Sequence, residues 1–244
     1  MLIAGFPAGP WGTNCYVAAT AAGAECVVVD PGKDAASGVA EVIREHRLKP
    51  VAVLLTHGHI DHMWSVTPVA GTYDATAWIH PADRYRLTDP LAGISRESAA
   101  MMLGMPGGKL EFTEPEDVRE LADGVDLELA GLTFVVDHTP GHTEGSVIFR
   151  TPYDGADVSE VMFSGDLLFE GSIGRTDLPG GDHPSMLRSL VTKVLTLPDD
   201  IVVLPGHGGQ TSIGRERATN PFLLELQDDS DHSGSPTAPI TRGL

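Results

Sequence analysis

Seven residues of this chain have the types and spacing of metal ligands. Four sit in one run, Thr56-His57-Gly58-His59-Ile60-Asp61-His62. Neutral imidazoles and carboxylates both donate to divalent cations, and packing gives no reason to gather so many polar rings in one short stretch. The other three are His142 in His138-Thr139-Pro140-Gly141-His142-Thr143, Asp166 in Phe163-Ser164-Gly165-Asp166, and His207 in Leu204-Pro205-Gly206-His207-Gly208. If these islands converge, one ion could take His57, His59 and His142, and a second could take Asp61, His62 and His207. Asp166 has two oxygens and can bridge them. Each ion then keeps an open position, the mark of a catalytic rather than a structural site. Two ions about 3.5–4 Å apart hold a nucleophilic hydroxide at neutral pH. Zinc is favoured for this donor mixture; iron and manganese also accept it.

Four apolar runs must position these islands. Val51 to Leu55 precedes the first, Leu132 to Val136 the second, Val161-Met162-Phe163 the third and Ile201-Val202-Val203 the fourth. Each reads as a buried strand, and each ends in a metal-capable residue with a glycine near it. Loops at strand ends project side chains from a rigid scaffold. Four such endings imply one point of convergence.

Further elements follow from pattern. Tyr16-Val17-Ala18 and Cys26 to Val29 read as strands about the turn Ala21-Ala22-Gly23, and Asp30-Pro31-Gly32 as a breaker. Val39, Val42, Ile43 and His46 mark one face of a helix from about Ala35 to His46. Asp61 and His62 should open a helix. Arg84 to Leu91 and Glu97 to Met105 read as short helices, broken by Gly104, Pro106, Gly107 and Gly108. The cluster Met101, Met102, Leu103 and Met105 suits helix packing or a pocket wall. Val125 to Leu129 and Leu132 to Val136 form a hairpin about Ala130-Gly131. Asp182 caps a helix with Pro184 in its first turn and a stripe of Met186, Leu187, Leu190, Val191, Val194 and Leu195, ending at Leu197-Pro198. The reading is one domain over 1–227, with a disordered tail over 228–244 rich in Asp, Ser, Pro, Thr and Gly.

Composition narrows the partners. With 34 acidic against 16 basic residues the formal charge is -18, which argues against nucleic acid and anionic membranes. No apolar stretch approaches the length of a membrane span, and the N-terminus lacks the basic region of a signal peptide. The two cysteines, Cys15 and Cys26, lie in strand-like runs and read as buried small apolar groups, which suits a cytoplasmic location. Oligomeric state is not legible.

The run His57-Gly58-His59-Ile60-Asp61-His62 resembles the HxHxDH motif of the metallo-β-lactamase superfamily, with His142, Asp166 and His207 following in order. The resemblance extends to about Leu226. It implies an α/β fold, a four-layer αβ/βα sandwich with the metals at the edge of two facing sheets. Within the superfamily the chain looks most like the short glyoxalase II-like thioester hydrolases. Thr139-Pro140-Gly141-His142-Thr143, Gly171-Ser172-Ile173-Gly174-Arg175-Thr176-Asp177, Leu204-Pro205-Gly206-His207-Gly208 and Asn220-Pro221-Phe222-Leu223 carry that likeness. Longer members have a C-terminal helical domain that recognises glutathione, and this chain has no room for one.

The expected activity is hydrolysis of a small-molecule thioester, a 2-hydroxyacyl thioester such as S-lactoyl-glutathione or that of another low-molecular-weight thiol, by a hydroxide shared between two ions. Asp61 and Asp166 are the expected catalytic carboxylates. A thiol of pKa about 8.5 leaves without a strong acid. Arg175 could grip a substrate carboxylate or pair with Asp177 or Asp182. Tyr153, Asn14 and His183 are weaker candidates; His138 reads as a supporting group, and His46, His80 and His232 carry no role. The chief rival is a persulfide dioxygenase with one iron on His57, His142 and Asp166. A lactonase or β-lactamase, a nuclease and a non-catalytic metal-bound scaffold rank lower.

Overall fold

The computed structural model describes residues 1–103, 112–155 and 157–233, with the backbone alone for Met102, Leu103 and 229–233. Among the described residues twelve strands build two sheets. The first carries β1 (Leu2–Ala8), β2 (Thr13–Ala19), β3 (Glu25–Val29), β4 (Lys49–Leu54), β5 (Thr76–Ile79) and β6 (Val118–Glu120), in that spatial order. The second carries β7 (Asp126–Leu129), β8 (Leu132–His138), β9 (Val147–Gly155) and β10 (Val158–Gly165), then, after a small hairpin of β11 (Leu168–Phe169) and β12 (Ser172–Ile173), β13 (Val202–Pro205) and β14 (Thr211–Ser212). Its order is β14-β13-β10-β9-β8-β7. The β7–β8 hairpin turns at Ala130-Gly131, both at positive φ, as expected for a tight turn.

The outer face of the first sheet is covered by α1 (Ala35–His46), α2 (Ile60–Met63) and α3 (Val66–Tyr73); α4 (Pro81–Arg84) and α5 (Arg96–Leu103) follow β5. The second sheet is covered by α6 (His183–Ser189), α7 (Ile213–Thr219) and α8 (Pro221–Ser233). Three apolar layers result. Cys15, Val17, Val28 and Val53 face the first helix layer. Tyr16, Val27, Leu54, Phe134, Phe149 and Phe163 meet between the sheets. Ile148, Met162 and Val203 face the second helix layer with Met186, Leu190 and Ile213. Strands packed on both faces need apolar side chains at every position, which is why they read as unbroken apolar runs. The four-layer αβ/βα sandwich is the observed fold. Cys15 and Cys26 are unbridged and buried, and burial pushes the Cys26 thiol up to about 12.

Some expectations need correction. β1 carries Gly5 and Pro7 and gave no strand pattern; an edge strand tolerates proline because its outer N–H has no partner. The helix expected over Arg84 to Leu91 is instead α4 followed by two 3-10 turns, Tyr85–Leu87 and Pro90–Gly93. The helix from Asp182 loosens to π geometry over Leu190–Val194. α8 runs on through Ser233, so its last turns fall in the stretch read as tail from Asp228. Residues 104–111, with Met105 and the breakers Gly104, Pro106, Gly107 and Gly108, and the remaining tail 234–244 lie outside the described residues. So do the side chains of Met102, Leu103 and His232.

Candidate metal centre

All seven expected ligands meet at one rim of the sandwich. β4 delivers His57, His59, Asp61 and His62 just past its C-terminal end, β8 delivers His142, β10 delivers Asp166 and β13 delivers His207. Three groups of three donors have all their donor atoms within 4.8 Å of one another: His57, His59 and His142; His57, His62 and Asp166; and Asp61, His62 and His207. The first and last are the two sets expected from sequence, and Asp166 lies between them. Its Oδ1 is 3.3 Å from His62 Nε2 and its Oδ2 is 3.4 Å from His142 Nε2 and 3.7 Å from His207 Nε2. His207 Nε2 is 3.2 Å from Asp61 Oδ2.

These separations suit metal ions. A tetrahedral ion with ligands at about 2.0–2.1 Å sets neighbouring donors about 3.3–3.4 Å apart. Among the described residues the buried His57 Nε2, His59 Nε2 and Asp166 Oδ1 have no hydrogen-bond partner, and buried polar atoms are seldom left orphaned without a reason. Surrounding bonds also orient the rings. Asp30 accepts from the Thr56 N–H at 2.8 Å and the Thr56 hydroxyl at 2.6 Å. That leaves the Thr56 oxygen to accept from His57 Nδ1 at 3.1 Å. Asp30 also accepts from His62 Nδ1 at 3.0 Å, and the Arg175 carbonyl accepts from His142 Nδ1 at 2.7 Å. In His57, His62 and His142 Nδ1 therefore carries a proton and Nε2 faces inward, the orientation a ligating imidazole needs.

Electrostatics agree. Burial, followed by neighbouring histidines, holds His57 and His59 well below the usual imidazole range. Burial also lowers His142. All three are neutral donors. For His62 burial works downward, but Asp166 and Asp61 outweigh it and raise the ring. His207 is raised likewise against its burial, by its bond to Asp61 and by Asp166. Burial opposes the ionised carboxylates of Asp61 and Asp166, yet His62 and His207 hold both below the usual range. The donor set thus suits divalent metal in ring orientation and spacing.

A cleft of about 520 Å³ opens over His59, Asp61, His142, Asp166 and His207. Its walls include Trp11, Ile60, Ile94, Phe169, Ile173 and Leu178, with Ser95, Ser98, Ser172 and Arg175 among them. Of the weaker candidates, Asn14 is at the site's edge: its amide donates to the carbonyls of Pro205 at 3.0 Å and Gly208 at 2.9 Å, fixing the His207 loop. Tyr153 lines a separate groove. His183 opens α6 on the surface. His138 is supporting, as expected: its Nε2 donates to the Glu144 carbonyl and its ring stacks on His80 at 4.0 Å.

Arg175 pairs with Asp177 through two contacts of 2.6 Å, and the pair is largely exposed. Its carbonyl, not its guanidinium, serves His142. Arg175→Ala is therefore expected to leave kcat nearly unchanged. Exposed charge contacts are worth about 0.2–1 kcal/mol, so KM should rise no more than about fivefold for a carboxylate-bearing substrate. Steady-state kinetics on carboxylated and neutral substrates checks this.

Asp30, Trp11, Thr13, Asp83 and Arg86 were not expected at the site. Asp30 had a usable signal, because Val27-Val28-Val29-Asp30 ends an apolar run as the ligand runs do. Thr13, whose hydroxyl donates to Asp61 at 3.0 Å, had none.

Three known proteins bear on this arrangement. The hydroxyacylglutathione hydrolase GloC of Haemophilus influenzae is 34% identical over 202 residues, 80% of this chain and 86% of that protein. The solved structure of BLEG-1, described as a B3 metallo-beta-lactamase, is 38% identical with a TM-score of 0.76, over 91% of this chain and 99% of that one. The structure of TTHA1623 in a di-iron-bound form is 36% identical with a TM-score of 0.71, over 90% and 100%. With residues 8–207 also matching the family's own model, the chain belongs to the metallo-beta-lactamase superfamily of metal-binding hydrolases.

Proposed function

We propose that this protein hydrolyses thioesters of a low-molecular-weight thiol, with a 2-hydroxyacyl group as the acyl partner, using two divalent ions. His57, His59 and His142 would hold one ion, Asp61, His62 and His207 the other, and Asp166 both. The ions supply Lewis acidity and a water acidified enough to react at neutral pH. The chain's own residues do the rest. Asp30 and the Arg175 carbonyl keep the imidazole protons on Nδ1. Ile60, Ile94, Phe169, Ile173 and Leu178 enclose the acyl group and exclude bulk water.

One observation carries the choice of leaving group. Among the described residues lining the cleft, every acid and histidine belongs to the ligand set, and the remaining titratable side chain, Arg175, is paired with Asp177. The site therefore offers no separate acid to protonate an alkoxide. A thiolate needs none, since a thiol ionises near pH 8.5. The likeness to GloC supports the same substrate class. The Asp61, His62 and His207 donor group favours two ions over the single iron of the dioxygenase reading. A cytoplasmic location is proposed with it; among the described residues no helix is long and apolar enough to cross a membrane.

The test is metal stoichiometry on purified protein together with thiol release from S-lactoyl-glutathione and from the coenzyme A ester. About two ions per chain with thiol release is the expected result. A β-lactam belongs in the panel because of the likeness to BLEG-1; turnover of it alone would move the assignment there. One iron per chain, oxygen uptake with a persulfide and no thiol release would overturn the reading.

A further inference from the structure

Beneath the cleft lies a buried acid–base pair that no ligand role uses. His80 caps α4 by accepting from the Ala82 N–H, and Pro81 opens the helix. The chain then tightens into the 3-10 turn Tyr85–Leu87. Asp83 and Arg86, three residues apart, fall on one face. Both side chains are fully buried, with Arg86 Nε 3.8 Å from Asp83 Oδ1. Buried charges persist only where they are paired and hydrogen-bonded, and the Asp83 carboxylate accepts three hydrogen bonds. Its Oδ2 accepts from the Gly58 N–H at 2.7 Å and from the Thr143 hydroxyl at 2.7 Å. Its Oδ1 accepts from the Gly145 N–H at 3.1 Å.

Gly58 lies between His57 and His59, and Thr143 follows His142. One carboxylate therefore ties the ligand loop of the first sheet to a ligand loop of the second. The fit is close: a Cβ on Gly145 would lie 2.7 Å from Asp83 Cγ. Arg86 extends the brace. Its Nη2 donates to the Pro179 carbonyl at 3.1 Å, in the loop that carries Arg175 and Leu178. Its Nη1 is buried with no hydrogen-bond partner among the described residues, and a Cβ on Gly93 would stand 3.3 Å from that atom and 2.9 Å from His59 Cδ2.

We propose that Asp83, neutralised by Arg86, is the positioning residue that holds His59 and His142 at ligating distance across the two sheets. It touches no donor atom and acts through Gly58 and Thr143. The inference rests on the two-ion reading of the site. Its consequence is selective: the ion of His57, His59 and His142 depends on this brace, whereas Asp61, His62 and His207 are held by Thr13, Asp30 and Asn14.

The experiment is a zinc titration of metal-stripped protein against a chromophoric chelator, for wild type, Asp83→Asn, Thr143→Val and Thr143→Ser, with thermal melting alongside. Outer partners of ligands typically contribute 10–100-fold to metal affinity. One of the two zinc constants is expected to weaken about 10–100-fold in Asp83→Asn and Thr143→Val, with the other unmoved. Thr143→Ser, which keeps the hydroxyl, should restore it. If Asp83→Asn fails to fold, the Thr143 pair alone decides. Unchanged zinc constants with only a lower melting temperature would overturn the proposal, as would equal weakening of both constants or failure of serine to rescue. If wild type binds two zinc ions yet releases no thiol from any thioester, the substrate reading fails while these constants still decide the brace. A wild-type chain that takes up no zinc would sink both.

Discussion

Asp166→Asn is expected to cut thioester hydrolysis by about a thousandfold or more and to lower bound metal from about two ions per chain to about one. The reason is the reach of this one side chain. Its Oδ1 faces His62, and its Oδ2 faces His142 and His207. Asparagine keeps one oxygen and turns N–H hydrogens toward the other donor group, where a cation should sit. Losing a shared ligand removes several kcal/mol of charge stabilisation from the reacting carbonyl, and each 1.36 kcal/mol is tenfold in rate. Metal analysis and steady-state kinetics on a variant that keeps the wild-type circular dichroism spectrum check the outcome. Full activity with two ions would remove Asp166 from the bridging role.

Chelation is expected to abolish activity and to lower the melting temperature by roughly 10 °C, both reversed by adding zinc. An ion present at a thousand times its dissociation constant stabilises the folded chain by about 4 kcal/mol. In a domain of this size each kcal/mol is about 2–4 °C. The site explains why the fold should register the loss: Asp30, His57, His59, His62 and His142 are all buried. Differential scanning fluorimetry with and without chelator reads the shift. A melting temperature indifferent to chelator and zinc would mean that the cluster holds no tightly bound ion.

The candidate ligands were legible in sequence because metal chemistry demands particular side chains, and few other forces gather His57, His59, Asp61 and His62 in one short stretch of chain. Strands flanked by both sheets and helices were legible too, since Val27 to Val29 and Val51 to Leu55 are apolar at every position. The layering came from family likeness, because an unbroken apolar run says that both faces are covered without saying by what. β1 escaped notice because Gly5 and Pro7 break the pattern that interior strands show. Asp83 and Arg86 escaped for a different reason. In His80-Pro81-Ala82-Asp83-Arg84-Tyr85-Arg86 three charged residues look like a solvated helix start, and Arg84 does pair with Glu114 and Glu120 nearer the surface. Which charges turn inward is decided by the loops that close over them, far away in sequence. Trp11, Ile94 and Phe169 reach the cleft by the same long-range closure.

That the ligands are shared between the two sheets has a bearing on how the protein matures in the cell. His57 and His207 are 150 residues apart (207 − 57 = 150), and β13, which carries His207, pairs with β10 near the end of the chain. Synthesis runs from the N-terminus at about 5–20 residues per second. His207 is therefore added to the chain roughly 7–30 seconds after His62. During that interval the nascent chain can offer a passing cation only a partial set. On the two-ion reading proposed above, the complete donor set is assembled only when one sheet has docked on the other.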